Sequence, residues 1–168
     1  MHLEIERRFL ATGDVRRFCL VGERIVQGYI HAAGLLKIRI RIMGSKGFLT
    51  IKGPRVGCTR TEFEHRMPAA LAVWILSRVT PEALIEKIRY KVAHAGLVWD
   101  VDIFEGRNGG LIIAEVELPE PRYPVVLPAW VDREVTTDMR YGNSVLAHHP
   151  VQTDARSLRN IFVGEQRS

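Results

Sequence analysis

A charge pattern with a period of two limits the fold of this chain more than any other feature. Successive side chains of a β-strand point to opposite faces, so residues i, i+2 and i+4 share one. In the opening stretch, Glu4, Glu6 and Arg8 fall on one face, and Leu3 and Ile5 on the other. The pattern then recurs along the chain. Lys37, Arg39 and Arg41 alternate with Ile38, Ile40 and Ile42, and Thr50 and Lys52 with Leu49 and Ile51. Glu62 and Glu64 flank Phe63, and Lys87, Arg89 and Lys91 alternate with Ile88, Tyr90 and Val92. Asp100 and Asp102 alternate with Val101 and Ile103, and Glu115 and Glu117 with Val116 and Leu118. Any half-buried antiparallel sheet alternates apolar and polar residues. A solvated face mixes Thr, Ser and charges of both signs, whereas here like charges stand in pairs, acid-x-acid or base-x-base. That arrangement is costly unless something binds it.

Carboxylate clusters suit hard divalent cations such as Mg²⁺. Guanidinium clusters suit phosphate oxygens, which arginine meets in bidentate fashion. Together they describe a site for a metal-bound polyphosphate. If the charged face points inward, the apolar face points outward and needs cover. This inverts the ordinary small barrel, whose interior is filled with apolar side chains.

Periodicity and turn residues predict strands over 3–10, 24–33, 35–43, 48–52, 59–67, 84–95, 97–104 and 111–118. Ala33-Gly34 joins the second and third tightly, and the glycine-rich segment 106–110 marks a hairpin. Short helices are predicted over 15–20, with Thr12 or Asp14 as N-cap, over 69–79 after Pro68, and over 140–148. A proline-rich connection covers 119–128. Eight strands with hairpin-length connections predict a mainly β (α+β) fold, a closed eight-stranded antiparallel barrel with a charged interior and helices packed outside. One unit is expected over 1–150, followed by a polar tail over 151–168.

The 168 residues are 46% hydrophobic, enough for a core, yet no run is long enough to span a membrane. Glu4 and Glu6 interrupt the start, so no signal peptide is expected and the cytoplasm is the predicted compartment. Cys19 and Cys58 form no CxxC or metal-type spacing, and reduced thiols are expected. A net charge of +5 favours polyanions. Against nucleic acid stand the absence of zinc-finger spacing, an RNP-like segment or a basic helix, and the acids that share the basic segments.

Assembled, these residues resemble the CYTH domain, the triphosphate tunnel metalloenzyme family. Its E-x-E-x-K signature stands here as Glu4-Ile5-Glu6-Arg7-Arg8. Its R-x-R strand is Arg39-Ile40-Arg41, its lysine strand carries Lys52, its E-x-E strand is Glu62-Phe63-Glu64, and its K-x-R strand is Lys87-Ile88-Arg89. WDVDIFEGRNGGLIIAEVELP and REVTTDMRYGNSVLA resemble two further family stretches. The resemblance implies an eight-stranded tunnel acting on inorganic triphosphate, thiamine triphosphate or RNA 5′-triphosphates, or cyclising ATP. A short chain of this form is most similar to bacterial inorganic triphosphatases.

On this resemblance, Glu4, Glu6, Glu62, Glu64, Glu115 and Glu117 hold one or two Mg²⁺ or Mn²⁺ ions. Arg39, Arg41, Lys52, Lys87 and Arg89 hold the phosphate chain. Glu4, Glu6 and Arg8 carry the chemistry, with Arg8 near the scissile phosphate and pyrophosphate and orthophosphate as products. Two alternatives stand beside it: a class IV adenylate cyclase, and a non-catalytic polyphosphate binder, because Arg8 replaces the family lysine. The expected partner is a small triphosphate, with no membrane and no nucleic acid. An edge-free barrel is compatible with a monomer or a homodimer.

Other residues carry open or structural expectations. Lys37 and Lys91 are rim or tunnel residues. Asp102 is a metal-site neighbour or the partner of a tunnel base, and Asp100 a rim residue. Tyr29 touches substrate or packs. Arg133 and Arg140 make structural salt bridges, His148 and His149 form an exposed pair, and Trp74, Trp99 and Trp130 pack.

Overall fold

A computed structural model describes residues 2–31 and 36–151, with all their side chains except those of His31 and Glu82. The Ala33-Gly34 connection and the tail beyond Val151 lie outside the described residues. Nine strands are present: β1 (His2–Ala11), β2 (Gly22–His31), β3 (Lys37–Met43), β4 (Lys46–Lys52), β5 (Thr59–Met67), β6 (Ile85–His94), β7 (Leu97–Phe104), β8 (Ile112–Glu117) and β9 (Val131–Glu134). Two short α-helices are α1 (Ala69–Leu76) and α2 (Asn143–Leu146).

All pairings are antiparallel, in the order β5-β4-β3-β2-β6-β7-β8-β1, and β5 pairs back onto β1 to close an eight-stranded barrel. The register keeps the charged phase on one face around the ring. Arg39 stands between Tyr29 and Thr50, Thr50 faces Glu64, Arg89 faces Asp102, and Arg8 faces Glu115. At the closing seam Glu4 stands opposite Arg60.

β9 departs from the sequence expectation. It pairs with Phe9, Leu10 and Ala11 of β1, on the edge that β5 leaves free after Ile5. The four residues VDRE show little burial and no apolar alternation. Their strand conformation comes from that open β1 edge, a tertiary cause with no local signal. Other elements shift for local reasons. β4 begins at Lys46, inside the expected turn, and 13–18 forms a 3₁₀ turn whose N-cap Thr12 makes no side-chain capping bond. α1 stops at Leu76, and the expected last helix divides into a 3₁₀ turn, Met139–Tyr141, and α2. Between β6 and β7 the hairpin turn has φ 47° at Ala95 and 80° at Gly96. Two positive φ values match the twist of the flanking strands, and glycine takes the second freely.

The outward apolar face is covered as the inversion requires. Phe9, Trp99, Val101, Ala114 and Val116 pack under Val15 of the 3₁₀ turn and under Trp130. Trp99 and Trp130 meet edge to face at 5.4 Å, a favoured aromatic geometry. On the other flank Ile40 is sealed by Ala72 and Leu76 of α1. Trp74 does not pack as expected: it points outward, 55% exposed, with the Arg78 guanidinium 3.6 Å over its ring.

The interior is charged over only part of its length. Ile85, Phe104 and Ile113 continue the inward phase of β6, β7 and β8 beyond Lys87, Asp102 and Glu115. They meet Leu111, Val135, Tyr141 and Leu146 in an apolar plug closed by the last turn and α2. No helix of the described residues is long and apolar enough to cross a membrane.

Candidate active site

The charged part of the barrel encloses a cavity of about 1030 Å³. Glu4, Glu6 and Arg8 of β1 reach it, with Arg39 and Arg41 of β3, Lys52 of β4, Glu62 and Glu64 of β5, Arg89 of β6, and Glu115 and Glu117 of β8. Every candidate but one lines this cavity. Lys87 lies behind the cavity wall, 1% exposed.

One wall is basic. Arg39 and Arg41 are each 8% exposed. Arg41 donates to Glu64 at 2.9 Å, Arg39 donates to Thr50 Oγ1 at 3.1 Å, and Thr50 donates to Glu64 at 2.8 Å. The Nε atoms of both arginines are buried without an acceptor. Burial and the neighbouring Arg39 push Arg41 down to about 10. One carboxylate therefore serves two guanidinium groups, and the surplus is an unmet demand for an anion.

The opposite wall is acidic. Lys52 donates to Glu4 at 2.9 Å and also pairs with Glu62. Burial works to raise the Glu4 pKa, but Lys52 and Arg60 outweigh it and hold it near 2. Glu6 behaves oppositely. Burial and the nearby Glu115 push its pKa up, against the attraction of Arg8. Glu117 stands directly across the strand pair from Glu6, a placement that costs stability for like charges.

Arg8 bridges the acids. It donates from Nε to Glu115 at 2.8 Å and from Nη2 to Glu6 at 3.0 Å, with a longer contact from Nη1 to the Tyr141 carbonyl at 3.4 Å. Burial lowers its pKa, but Glu115 and Glu6 more than compensate, so it stays charged. Arg8 is thus a fixed cation among carboxylates.

Behind this layer, Arg89 forks onto Asp102 at 2.7 and 2.6 Å and also reaches Glu115 and Asp100, both at 2.9 Å. Asp102 pairs with Lys87 as well, and so takes the second of its two expected roles, the partner of interior bases. Burial brings Lys87 down to about 8, against the pull of Asp102. Asp100 is less exposed than a rim residue, held by Arg89 and by Lys91 at 2.5 Å. Lys37 and Lys91 both line the cavity, as does Tyr29, whose hydroxyl accepts from Gln27 at 3.1 Å. Arg140 pairs with Asp138 at 2.7 Å, whereas among the described residues Arg133 bonds the Tyr141 hydroxyl and no acid. His148 and His149 are exposed.

Two lining arginines escaped the sequence reading, Arg55 and Arg60. Arg60 carried a signal, for it shares the phase of Glu62 and Glu64. Arg55 sits in the connection between β4 and β5, where period-two reasoning has no purchase.

Among the described residues no three His, Cys, Asp or Glu side chains close into a metal cage, and Glu4, Glu6, Glu62, Glu64 and Glu115 are each paired with a lysine or arginine. The chemistry of the donors nonetheless suits a hard cation. Glu4, Glu6, Glu115 and Glu117 all offer carboxylate oxygens on the adjacent strands β1 and β8, and Glu6, its pKa raised by burial and by the nearby Glu115, is a carboxylate whose charge a divalent ion would favour.

Comparison with known proteins places this charged barrel in a family. The CYTH domain matches residues 2–144, and the chain belongs to that family. It is 41% identical over 150 residues to an inorganic triphosphatase of Acetivibrio thermocellus, covering 89% of this chain and 96% of that one. It is 32% identical over 149 residues to an inorganic triphosphatase of Nitrosomonas europaea, covering 86% and 96%. A solved inorganic triphosphatase structure superposes with a TM-score of 0.63 at 28% identity, covering 88% of this chain and 95% of the other.

Proposed function

We propose that this chain hydrolyses inorganic triphosphate to pyrophosphate and orthophosphate with the help of Mg²⁺ or Mn²⁺. The observation that carries the reading is the basic wall: two buried arginines, side by side on the cavity lining, share the single carboxylate of Glu64. A phosphate chain supplies the missing negative charge. The reading draws support from the relatives named as inorganic triphosphatases.

In this reading Arg39, Arg41, Lys52 and Arg89 bind the phosphoryl oxygens, and Lys87 acts through Asp102 and Arg89 rather than by touching substrate. Glu4, Glu6, Glu115 and Glu117 would hold the divalent ion, with Glu62 and Glu64 orienting Lys52 and the two arginines. Such an ion neutralises phosphate charge and activates water. Arg8 keeps Glu6 and Glu115 in place as a permanent cation and does not transfer a proton. Positioning and electrostatic stabilisation then supply most of the acceleration. The thiols of Cys19 and Cys58 are free, in keeping with a reducing cytoplasm.

The test is phosphate release from inorganic triphosphate, with ATP and thiamine triphosphate in parallel, in Mg²⁺, Mn²⁺ or EDTA. Metal-dependent release from inorganic triphosphate, ahead of the organic substrates, is expected. A silent wild type that turns over as Arg8→Lys would show instead a binder that lost its chemistry with the signature lysine. Arg39→Ala is expected to weaken substrate binding by about tenfold or more, through the loss of charged hydrogen bonds. An unchanged KM would mean that this wall does not hold phosphate.

A further inference from the structure

Arg55 and Arg60 stand apart from the other cavity cations, because both of them lie on the two signature carboxylates. Arg55 donates to Glu6 at 2.9 Å and approaches Glu4 at 3.9 Å. Arg60 pairs closely with Glu4 and lies 3.8 Å from Glu6. Neither carboxylate lacks another partner, since Glu4 keeps Lys52 and Glu6 keeps Arg8. A crowding of four cations therefore surrounds these two acids, although Lys52 is shared with Glu62 and Arg8 with Glu115. Lys37 registers it: after burial itself, Arg60, Arg8, Arg55 and Lys52 are what depress its pKa.

Resting on the triphosphatase reading above, we propose that Arg55 and Arg60 are exchangeable counter-ions. In the metal-free chain they hold Glu4 and Glu6. When a divalent cation takes those carboxylates, the two guanidinium groups are released and turn onto phosphoryl oxygens, so tight polyphosphate binding requires the metal. Arg55 is placed to make this exchange. It extends from the connection 53–58, and its remaining contacts are long ones to the carbonyls of Glu6 and Cys58, at 3.3 and 3.4 Å. Arg60 projects from β5 directly across the seam from Glu4. Both side chains line the cavity, so only a change of rotamer separates a carboxylate from a phosphate. Arg39 and Arg41 differ, because they pair with Glu64 and with neither signature carboxylate.

The exchange predicts effects of opposite sign. The experiment measures Mn²⁺ affinity by calorimetry without substrate, then inorganic triphosphate affinity in EDTA and in Mn²⁺ under non-turnover conditions. It compares wild type, Arg55→Ala, Arg60→Ala, the double variant and Arg39→Ala. The arginine variants should bind Mn²⁺ several-fold more tightly, because the competing cation has gone. They should lose about tenfold or more in triphosphate affinity with Mn²⁺ present, and much less in EDTA. Arg39→Ala should lose affinity in both conditions, and Arg55→Lys should recover part of the loss. Unchanged or weaker Mn²⁺ binding by the double variant overturns the exchange, as does an equal loss of triphosphate affinity with and without metal. A wild type that binds neither Mn²⁺ nor triphosphate overturns the triphosphatase reading itself, a result distinct from failure of the exchange.

Discussion

Glu6→Gln is expected to raise the melting temperature while lowering kcat for triphosphate hydrolysis by about a hundredfold or more, the scale of removing one electrostatic group from a reacting site. The two effects have one cause. Glu6 is buried beside Glu115, with Glu4 adding to the repulsion, so its ionised form is disfavoured and its pKa rises. A carboxyl whose pKa is raised by folding stabilises the fold fully below its unfolded pKa, and that contribution is lost as pH rises through the folded value. Once ionised, Glu6 therefore works against the fold, and a glutamine removes that penalty together with the carboxylate proposed to hold the metal. The melting advantage of Glu6→Gln should fade as the pH falls and the wild-type residue takes up its proton. Glu4→Gln should behave differently. Lys52 and Arg60, against the effect of burial, hold Glu4 near 2 rather than its usual 4.5. Its stabilising contribution is present above pH 4.5 and lost as the pH falls toward 2, so Glu4→Gln should lose stability and activity together at neutral pH. Thermal melts across that range, paired with phosphate release, check both variants. A lower melting temperature for Glu6→Gln at neutral pH would refute the view that repulsion between acids strains this position.

Two neighbouring glutamates of opposite behaviour explain how much of the site was legible in the sequence. The phase of each charged pair is local, since the strand period alone places Glu4, Glu6, Arg39, Arg41 and the rest on a common face. Their convergence followed once the strands were counted and the barrel closed. The apolar end of the interior carried a signal too, in Ile85, Phe104 and Ile113, which keep the inward phase but not the charge. What escaped depends on register and closure. The seam that sets Arg60 against Glu4 joins residues distant in the chain, and β9 exists because β5 leaves part of the β1 edge open. Arg55 enters the cavity from a connection, where no periodicity marks its direction. The withdrawal of Lys87 behind the wall follows from Asp102, which stands beside Arg89 in the ladder and takes both cations.

Asp102→Asn is expected to destabilise the chain by about 3–5 kcal/mol, the range for stripping one partner from a buried ion pair. For a domain of this size that lowers the melting temperature by about 10 °C. Asp102 is 0% exposed and bonds two cations at once, Lys87 and Arg89. Arg89 retains Asp100 and Glu115 when the charge is removed. Lys87 does not fare as well, for what remains is Asn143 Oδ1 at 3.5 Å and the Phe104 ring at 5.3 Å, neither of them a counter-charge. The cost therefore falls mainly on a buried ammonium group left without a counter-charge. Lys87→Met in the Asp102→Asn background removes that group at similar volume and should restore much of the stability, a non-additivity expected of residues in one network. Activity should not follow stability. Asp102 holds two of the Arg89 donors and so sets the direction of the fork toward Glu115 and the cavity. The double variant should stay deficient in triphosphate affinity even where its melting temperature recovers. Were Asp102→Asn to melt within about 1 kcal/mol of wild type, as exposed ion pairs do, water would have to reach Lys87, and the layer behind the cavity would be a solvated extension of the tunnel. Recovery of both stability and affinity in the double variant would give Asp102 a purely structural role and leave the Arg89 fork to be oriented by Glu115 and Asp100 alone.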